Sequence, residues 1–224
     1  MTDLSTWTPR ERPARSTITG DRVRLEPLDV AAHAPDLWLA ANAGDDQLWD
    51  YLPYGPFADE GAFRTWLASI ETSEDPLFFA IVDAGTGQAL GMCSFLRIDP
   101  GNGVIEIGHI WFSAALQRST LATEAIFLLQ QTAMEDLGYR RLEWKCNNAN
   151  ARSKRAAERF GFTFEGIFRQ HSIVKGANRD TAWFSLLDGE WPAYARAVRT
   201  WLAPDNFTAD GVQIRSLRDL RTEA

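Results

Sequence analysis

Histidine and cysteine are scarce in this chain, three and two respectively in 224 residues. No cluster of His, Cys and acidic residues has the spacing of metal ligands, so no metal site is expected. Cys93 and Cys146 each lie inside a strand-like apolar run, where a thiol serves as a small core residue; neither a disulfide nor a cysteine nucleophile is expected. No Ser, His and acid arrangement reads as a nucleophile triad. No apolar run reaches the ~20 residues that cross a bilayer, and the N-terminus has no apolar signal core, so a cytoplasmic protein without a membrane partner is expected. Basic residues are outnumbered, 23 Lys and Arg against 30 Asp and Glu, for a net charge of −7. That balance argues against a general nucleic-acid binder. It either suits a cationic substrate, such as an amine or basic peptide, or is the ordinary solubility of an acidic protein. Internal repeats and low-complexity tracts are absent.

Apolar and aromatic mass is abundant: 45% of residues are hydrophobic, with nine Trp and thirteen Phe, enough for a large core. The length fits one domain with appendages. Residues 1–16 read as a flexible polar arm in which Trp7 is suited to docking, residues 17–203 as the domain, and residues 204–224 as a polar, mobile tail. Within the domain, Ile18, Val23 and Leu25 flank a Gly20-Asp21 turn and lead into a first strand. Asp29 and Asp59 are placed as N-caps of helices over 31–41 and up to Ile70. Between those helices lies an aromatic loop over 44–57. Strands are expected over 77–83 and 88–98, joined by the turn Ala84-Gly-Thr-Gly87. Further strands are expected over 104–112, 140–146, 162–168 and 181–187, and a last helix over 190–202 whose Trp191 and Trp201 are expected on the surface. These elements give an α+β, three-layer fold.

The centre of the chain is Val104–Gly138. Val104 to Phe112 is β-rich and mostly apolar, the mark of a buried strand. Leu121, Ala125, Leu128, Leu129 and Thr132 then recur on one helical face, and Gly138 is placed as the C-cap. The helix start between them carries free N–H groups and a partial positive charge, which bind phosphate without lysine. In that turn, Gln117-Arg-Ser-Thr-Leu-Ala122 resembles the Q/R-x-x-G-x-G/A pyrophosphate loop of the GNAT acyltransferases, with Thr120 in place of the usual Gly. Downstream, Asn150-Ala-Arg-Ser153 followed by Arg159-Phe-Gly161-Phe162 resembles the same family's N-x-x-S…G-F segment. The two pieces stand in the family's order, and the wider pattern resembles the Rim-type branch of ribosomal-protein N-terminal acetyltransferases.

The resemblance implies a GNAT fold: a mixed, mostly antiparallel seven-strand sheet with splayed central strands, flanked by helices. It implies acyl transfer from acetyl- or succinyl-coenzyme A to a primary amine of a small molecule or a protein N-terminus, by direct attack. A non-catalytic acyl-coenzyme A sensor is the alternative. Pantetheine is expected along the free edge at Ile110 and Phe112, and pyrophosphate at Gln117, Arg118, Ser119, Thr120, Leu121, Ala122 and Thr123. Asn150, Ser153 and Arg155 complete the cofactor set. Arg152, Lys154 and Arg155 either reach the 3′-phosphate or form a solvated helix face. Ser153 is the candidate acid, because Ala157 stands where most relatives carry a Tyr; the bland reading of Ser153 is a first-turn residue bonding backbone.

The resemblance makes Glu106 the first candidate base, at a place where many GNAT enzymes carry a carboxylate that receives the amine proton through water. A carboxylate on an apolar strand either faces a cleft or pairs with an arginine, since an unpaired buried charge is costly. The resemblance makes His171 a second candidate base, since Rim-type relatives place acceptor-site polar groups there, whereas His109 reads better as a hydrogen-bonded core residue. The resemblance implies that the loop carrying Trp49, Tyr51 and Tyr54 walls the acceptor pocket, with Asp45, Asp46 and Asp50 drawing in a cation; otherwise the aromatics only pin the loop. Trp191 and Trp201 would suit a homodimer contact.

Overall fold

The computed structural model describes residues 3–44 and 46–223. Among them the apolar runs form one sheet of eight strands: β1 (Ile18–Thr19), β2 (Val23–Pro27), β3 (Leu77–Asp83), β4 (Ala89–Asp99), β5 (Val104–Phe112), β6 (Arg141–Asn147), β7 (Thr163–Val174) and β8 (Ala177–Leu187). Their order is β1-β2-β3-β4-β5-β6-β8-β7. Every neighbouring pair is antiparallel except β5 with β6. The eighth strand beyond the expected seven is the short Ile18–Thr19 segment, which folds back on β2.

The helices are α1 (Val30–Asn42), α2 (Glu60–Ile70), α3 (Thr120–Gln131), α4 (Ala151–Arg159), α5 (Trp191–Leu202) and α6 (Leu217–Glu223). As expected, Asp29 and Asp59 cap α1 and α2 by accepting from Ala32 N and Ala62 N. Gly138 takes a φ of +67°, the left-handed conformation expected at a helix end, although a π-helical turn, Thr132–Asp136, intervenes after α3. β3 shows why the central strands read as unbroken apolar runs. Its Phe79 and Ile81 join the core under α3 and α5, while Phe78, Ala80 and Val82 join the core under α1 and α2, so both faces are dry.

One pairing positions the site. β5 and β6 are in register only at Val104↔Arg141, Ile105↔Leu142 and Glu106↔Glu143. Past that point β5 stays with β4 as far as Phe112↔Gly91, and β6 stays with β8 as far as Asn147↔Thr181. The strands part because β5 carries an extra residue opposite Met92–Ser94, where the register slips and His109 takes a φ of +50°. Such a bulge bends its strand and raises the local twist.

Four expectations are corrected. The stretch after Pro204 does not hang free: Leu217 and Leu220 are buried, and Asn206 Nδ2 donates to the carbonyls of Trp201 and Arg215. The N-terminal arm is also laid down, with Arg10 N bonded to Pro100 O and Trp7 Nε1 to Gly101 O. Trp191 and Trp201 are buried, not exposed. Trp191 stacks on Phe127 and donates to Glu135, while Trp201 donates to Gln213 of the terminal stretch, so neither is free for a dimer contact. The β7–β8 hairpin is longer than expected and turns at Lys175-Gly176, both at positive φ, which places His171 within β7 and not beyond it.

Candidate active site

The gap between β5 and β6 opens beside the start of α3. Ser119 caps that helix, its Oγ accepting from Ala122 N at 3.0 Å. This satisfies the third first-turn N–H and leaves those of Thr120 and Leu121 without an intrahelical carbonyl. Arg118, at a φ of +59°, lifts its exposed side chain beside them. Gln117 serves differently: its Nε2 donates to Phe112 O at 3.0 Å and ties the loop to the end of β5. Thr123 Oγ1 donates to Ser119 O, and Ala122 is buried. Ile110 and Phe112 lie on the free edge, partly buried against the core.

The far wall of the gap is the start of α4. Asn150 Oδ1 caps it by accepting from Ser153 N, and Ser153 Oγ accepts from Trp144 Nε1 at 3.0 Å. Burial raises the Cys146 thiol, partly offset by the neighbouring Ser153 hydroxyl. Arg155 is exposed, Lys154 Nζ donates to Asn148 Oδ1 and Arg152 reaches Gln47 Oε1. These contacts give Arg152 and Lys154 local roles. Ala157 is fully buried.

On the α1/α2 face the floor of the gap is a ladder of charges. Glu106, 3% exposed, accepts from Arg97 Nη1 at 2.7 Å and lies 2.8 Å from Lys145 Nζ, both through Oε2. Pairing with an arginine, the second of the two readings above, is therefore what the structure shows. Its other oxygen is turned along the strand, since a Cβ added to Gly108 would lie 3.6 Å from Oε1. Lys145 also bridges to Glu143 at 2.6 Å and sits 4.0 Å from the Trp183 ring. Arg141 joins Glu143 to Glu165, whose carboxyl is held down to about 2 chiefly by that guanidinium. His171 hangs at the ladder's edge, its ring 6.0 Å from that of Trp183 and Nδ1 2.9 Å from Thr181 Oγ1. Ser153 bonds Trp144, which alternates with Lys145 on β6, so it lies on the opposite face from Glu106 and His171.

The aromatic loop crosses the gap as a strap. Tyr51 Oη donates to Ala149 O at 3.4 Å, and Lys175 Nζ at the hairpin tip donates to Trp49 O at 2.7 Å. Trp49 is buried beneath the strap against Phe57 and Trp111, so it pins the loop and presents no surface to a substrate. Tyr54 Oη lies 3.3 Å from His109 Nδ1, the rings stacked at 5.7 Å. Burial first, then the charges of Arg97 and Arg179, push His109 down to about 4, which leaves a neutral imidazole at the bulge. Asp45 and the side chain of Asp46 lie outside the described residues, and Asp50 is exposed.

A model of the Acetyltransferase (GNAT) domain matches residues 22–163. The chain belongs to the GNAT family. A GCN5-related N-acetyltransferase from Brucella melitensis superposes with a TM-score of 0.95 at 50% identity, over 98% of this chain and 100% of that one. An uncharacterized N-acetyltransferase, p20, from Bacillus licheniformis is 28% identical over 78% of this chain and 94% of its own. The ribosomal-protein-serine acetyltransferase of Escherichia coli is 31% identical over 42% of this chain and 51% of its own, a likeness within the Rim-type branch. The chain is thus an acetyltransferase of the GNAT type, and the non-catalytic sensor reading is not favoured. Among the described residues no helix is long and apolar enough to cross a membrane.

Within this GNAT domain the residues that sequence reasoning missed are Arg97, Lys145, Arg179 and Trp183, with His109 set aside as core. The alternation Arg141-x-Glu143-x-Lys145 announced a polar face on β6. Nothing local marked Arg97 or Arg179, whose neighbours come from other strands.

Proposed function

We propose that this GNAT domain moves an acetyl group from acetyl-coenzyme A to a primary amine by direct attack within a ternary complex. The observation that carries the reading is the parting of β5 from β6 after Glu106↔Glu143. It leaves the edge from Ile107 to Phe112 free to hydrogen-bond an extended pantetheine chain, as a sheet edge pairs with a strand. The unpaired N–H groups of Thr120 and Leu121, with Arg118, suit the pyrophosphate. The polar edge atoms, a first-turn anion site and a gap in the sheet fit the group; bound there, it supplies the activated thioester.

The amine enters on the α1/α2 face, between the strap and the charge ladder. Glu106 takes its proton at Oε1, directly or through water, with Arg97 and Lys145 fixing the carboxylate in place. Ser153, its oxygen already accepting from Trp144, gives its hydroxyl proton to the departing sulfur. Direct attack follows from the thiols, since burial raises both Cys93 and Cys146 and neither is poised as a nucleophile. The name of the Escherichia coli relative supports a protein N-terminus as acceptor, and a cytoplasmic site of action goes with it.

Thermal-shift titration with free, acetyl- and succinyl-coenzyme A tests the reading. A ligand at a hundredfold excess over its Kd stabilises by about 2.7 kcal/mol, and the expected result is a clear shift with acetyl-coenzyme A. Glu106→Gln is expected to keep that shift and lose roughly 10²–10⁴ in kcat. Absence of a shift with all three ligands would sink the proposal.

A further inference from the structure

We infer that Arg179 recognises a carboxylate carried by one of the two reactants, either at the end of the acyl chain or on the amine. The inference rests on the acyltransferase reading above and modifies its substrates: the first case replaces the acetyl donor by a carboxylate-ended acyl group, and the second requires an acceptor amine that itself carries a carboxylate. Arg179 shares a face of β8 with Thr181 and Trp183 and lies two residues beyond Thr181↔Asn147, the last pair β8 makes with β6. It therefore stands at the mouth of the gap. Its charge is felt on both walls, at Glu106 and His109 of β5 and at Cys146 of β6.

The charges around it do not balance. Three carboxylates, Glu106, Glu143 and Glu165, face four cations, Arg97, Arg141, Lys145 and Arg179. The first three cations each hold a carboxylate directly. Arg179 holds none among the described residues, and its Nε is buried with no acceptor. Trp183 Nε1, on the same face, is likewise buried without an acceptor. Buried donors in native proteins are almost always satisfied, and these two are not, although the Arg179 side chain as a whole is only half-buried. An excess cation at one cleft of a chain with a net charge of −7 is thus best explained by an anion that arrives with the substrate. The planar guanidinium fork matches a carboxylate through two parallel bonds. The pyrophosphate of the donor is assigned above to the start of α3.

Titration calorimetry on wild type, Arg179→Met and Arg179→Lys tests this. One pair of ligands is acetyl- against succinyl-coenzyme A; the other, in saturating free coenzyme A, is L-serine against L-serinamide. The wild type is expected to prefer the carboxylate-bearing member of one pair by about 10- to 100-fold, the range of a charged hydrogen bond. The pair showing the preference identifies the source. Arg179→Met is expected to abolish it with free coenzyme A affinity unchanged, and Arg179→Lys, which keeps the charge but not the fork, to retain part. Should the Met variant not fold, the Lys variant decides by the same comparison. No preference in either pair, or one that survives both substitutions, overturns the inference and leaves the acyltransferase reading standing. Failure of the wild type to bind free coenzyme A overturns both.

Discussion

His109 shows how one residue can serve both the shape and the chemistry of the site. Its positive φ makes the bulge that parts β5 from β6, and its ring is pressed between Tyr54 and Phe78. Burial and two nearby guanidinium groups push its pKa from 6.5 down to about 4. The unfolded chain therefore binds a proton between these values that the folded chain does not. The sign follows: stability is full above pH 6.5, falls as pH drops from 6.5 towards 4, and levels off below, the loss being on the order of 3 kcal/mol. Glu165, lowered to about 2 by Arg141, adds a further loss between 4.5 and 2. Denaturant titrations of wild type and His109→Gln at stepped pH should differ in slope only in the upper window. Parallel curves there would show that the ring is charged in the native state or not buried. Glu106 carries a separate duty at the same scale, two cations on one oxygen and the other turned toward Gly108, so its substitution is expected to lower both kcat and stability, because buried Lys145 loses a partner.

At the scale of elements, α4 is held by its two ends. Asn150 caps the first turn and places Ser153 on the wall of the gap; Gly161 closes the helix at a φ of +87°, where an added Cβ would lie 2.6 Å from the Tyr194 ring. Gly161→Ala thus meets both the left-handed penalty and an overpacked neighbour, and is expected to cost about 2–4 kcal/mol by urea denaturation. Coenzyme A affinity of the folded fraction should change little, because the strain lies at the end of α4 remote from Ser153; a selective loss of affinity would show that the helix transmits it. Gly161 was visible in the sequence as part of a motif, and the buried strands were visible as apolar runs, because each signal is local. The full length of the β7–β8 hairpin was not legible, since strand pairing carries a polar, exposed β7 as far as Val174, further than its composition suggests. The β5 bulge was not legible, as an extra residue leaves no mark in a run that is apolar on both faces. Nor was the charge ladder, since Arg97, Lys145, Glu165 and Arg179 meet across four strands. Trp49 was read as a pocket residue for a similar reason: a loop aromatic gives no sign of which way it turns until Trp111, Phe57 and Trp66 surround it.

Over the whole molecule the two terminal stretches act as clasps on a domain that is divided by its own gap. The N-terminal arm lies over the closed end, where Trp7 contacts the turn at Gly103 and Tyr139 Oη donates to Glu11 O. The C-terminal stretch lies on α5 and the end of α4: Leu217 and Leu220 enter the core, and Arg221 Nη1 donates to Glu158 O. Two leucines in a polar background are too few to show helical periodicity, which is why the segment read as a loose tail. Their burial is nevertheless large on the scale of folding. At about 1.5–3 kcal/mol for each buried leucine, removal of residues 204–224 should cost about 3–6 kcal/mol, a large fraction of the 5–15 kcal/mol typical of a domain. It would also expose Trp201, Leu202 and Tyr194. The gap itself is lined by β5, β6 and the starts of α3 and α4, whereas the segment's hydrogen bonds run to α5 and the end of α4. Truncation after Ala203 should therefore lower the urea midpoint sharply while the folded fraction keeps its affinity for coenzyme A within about twofold, an invariance worth less than ~0.5 kcal/mol. Equal midpoints for full-length and truncated chains would mean that the clasp carries no stability, and a tenfold loss of affinity at retained stability would mean that it holds the gap at its working width.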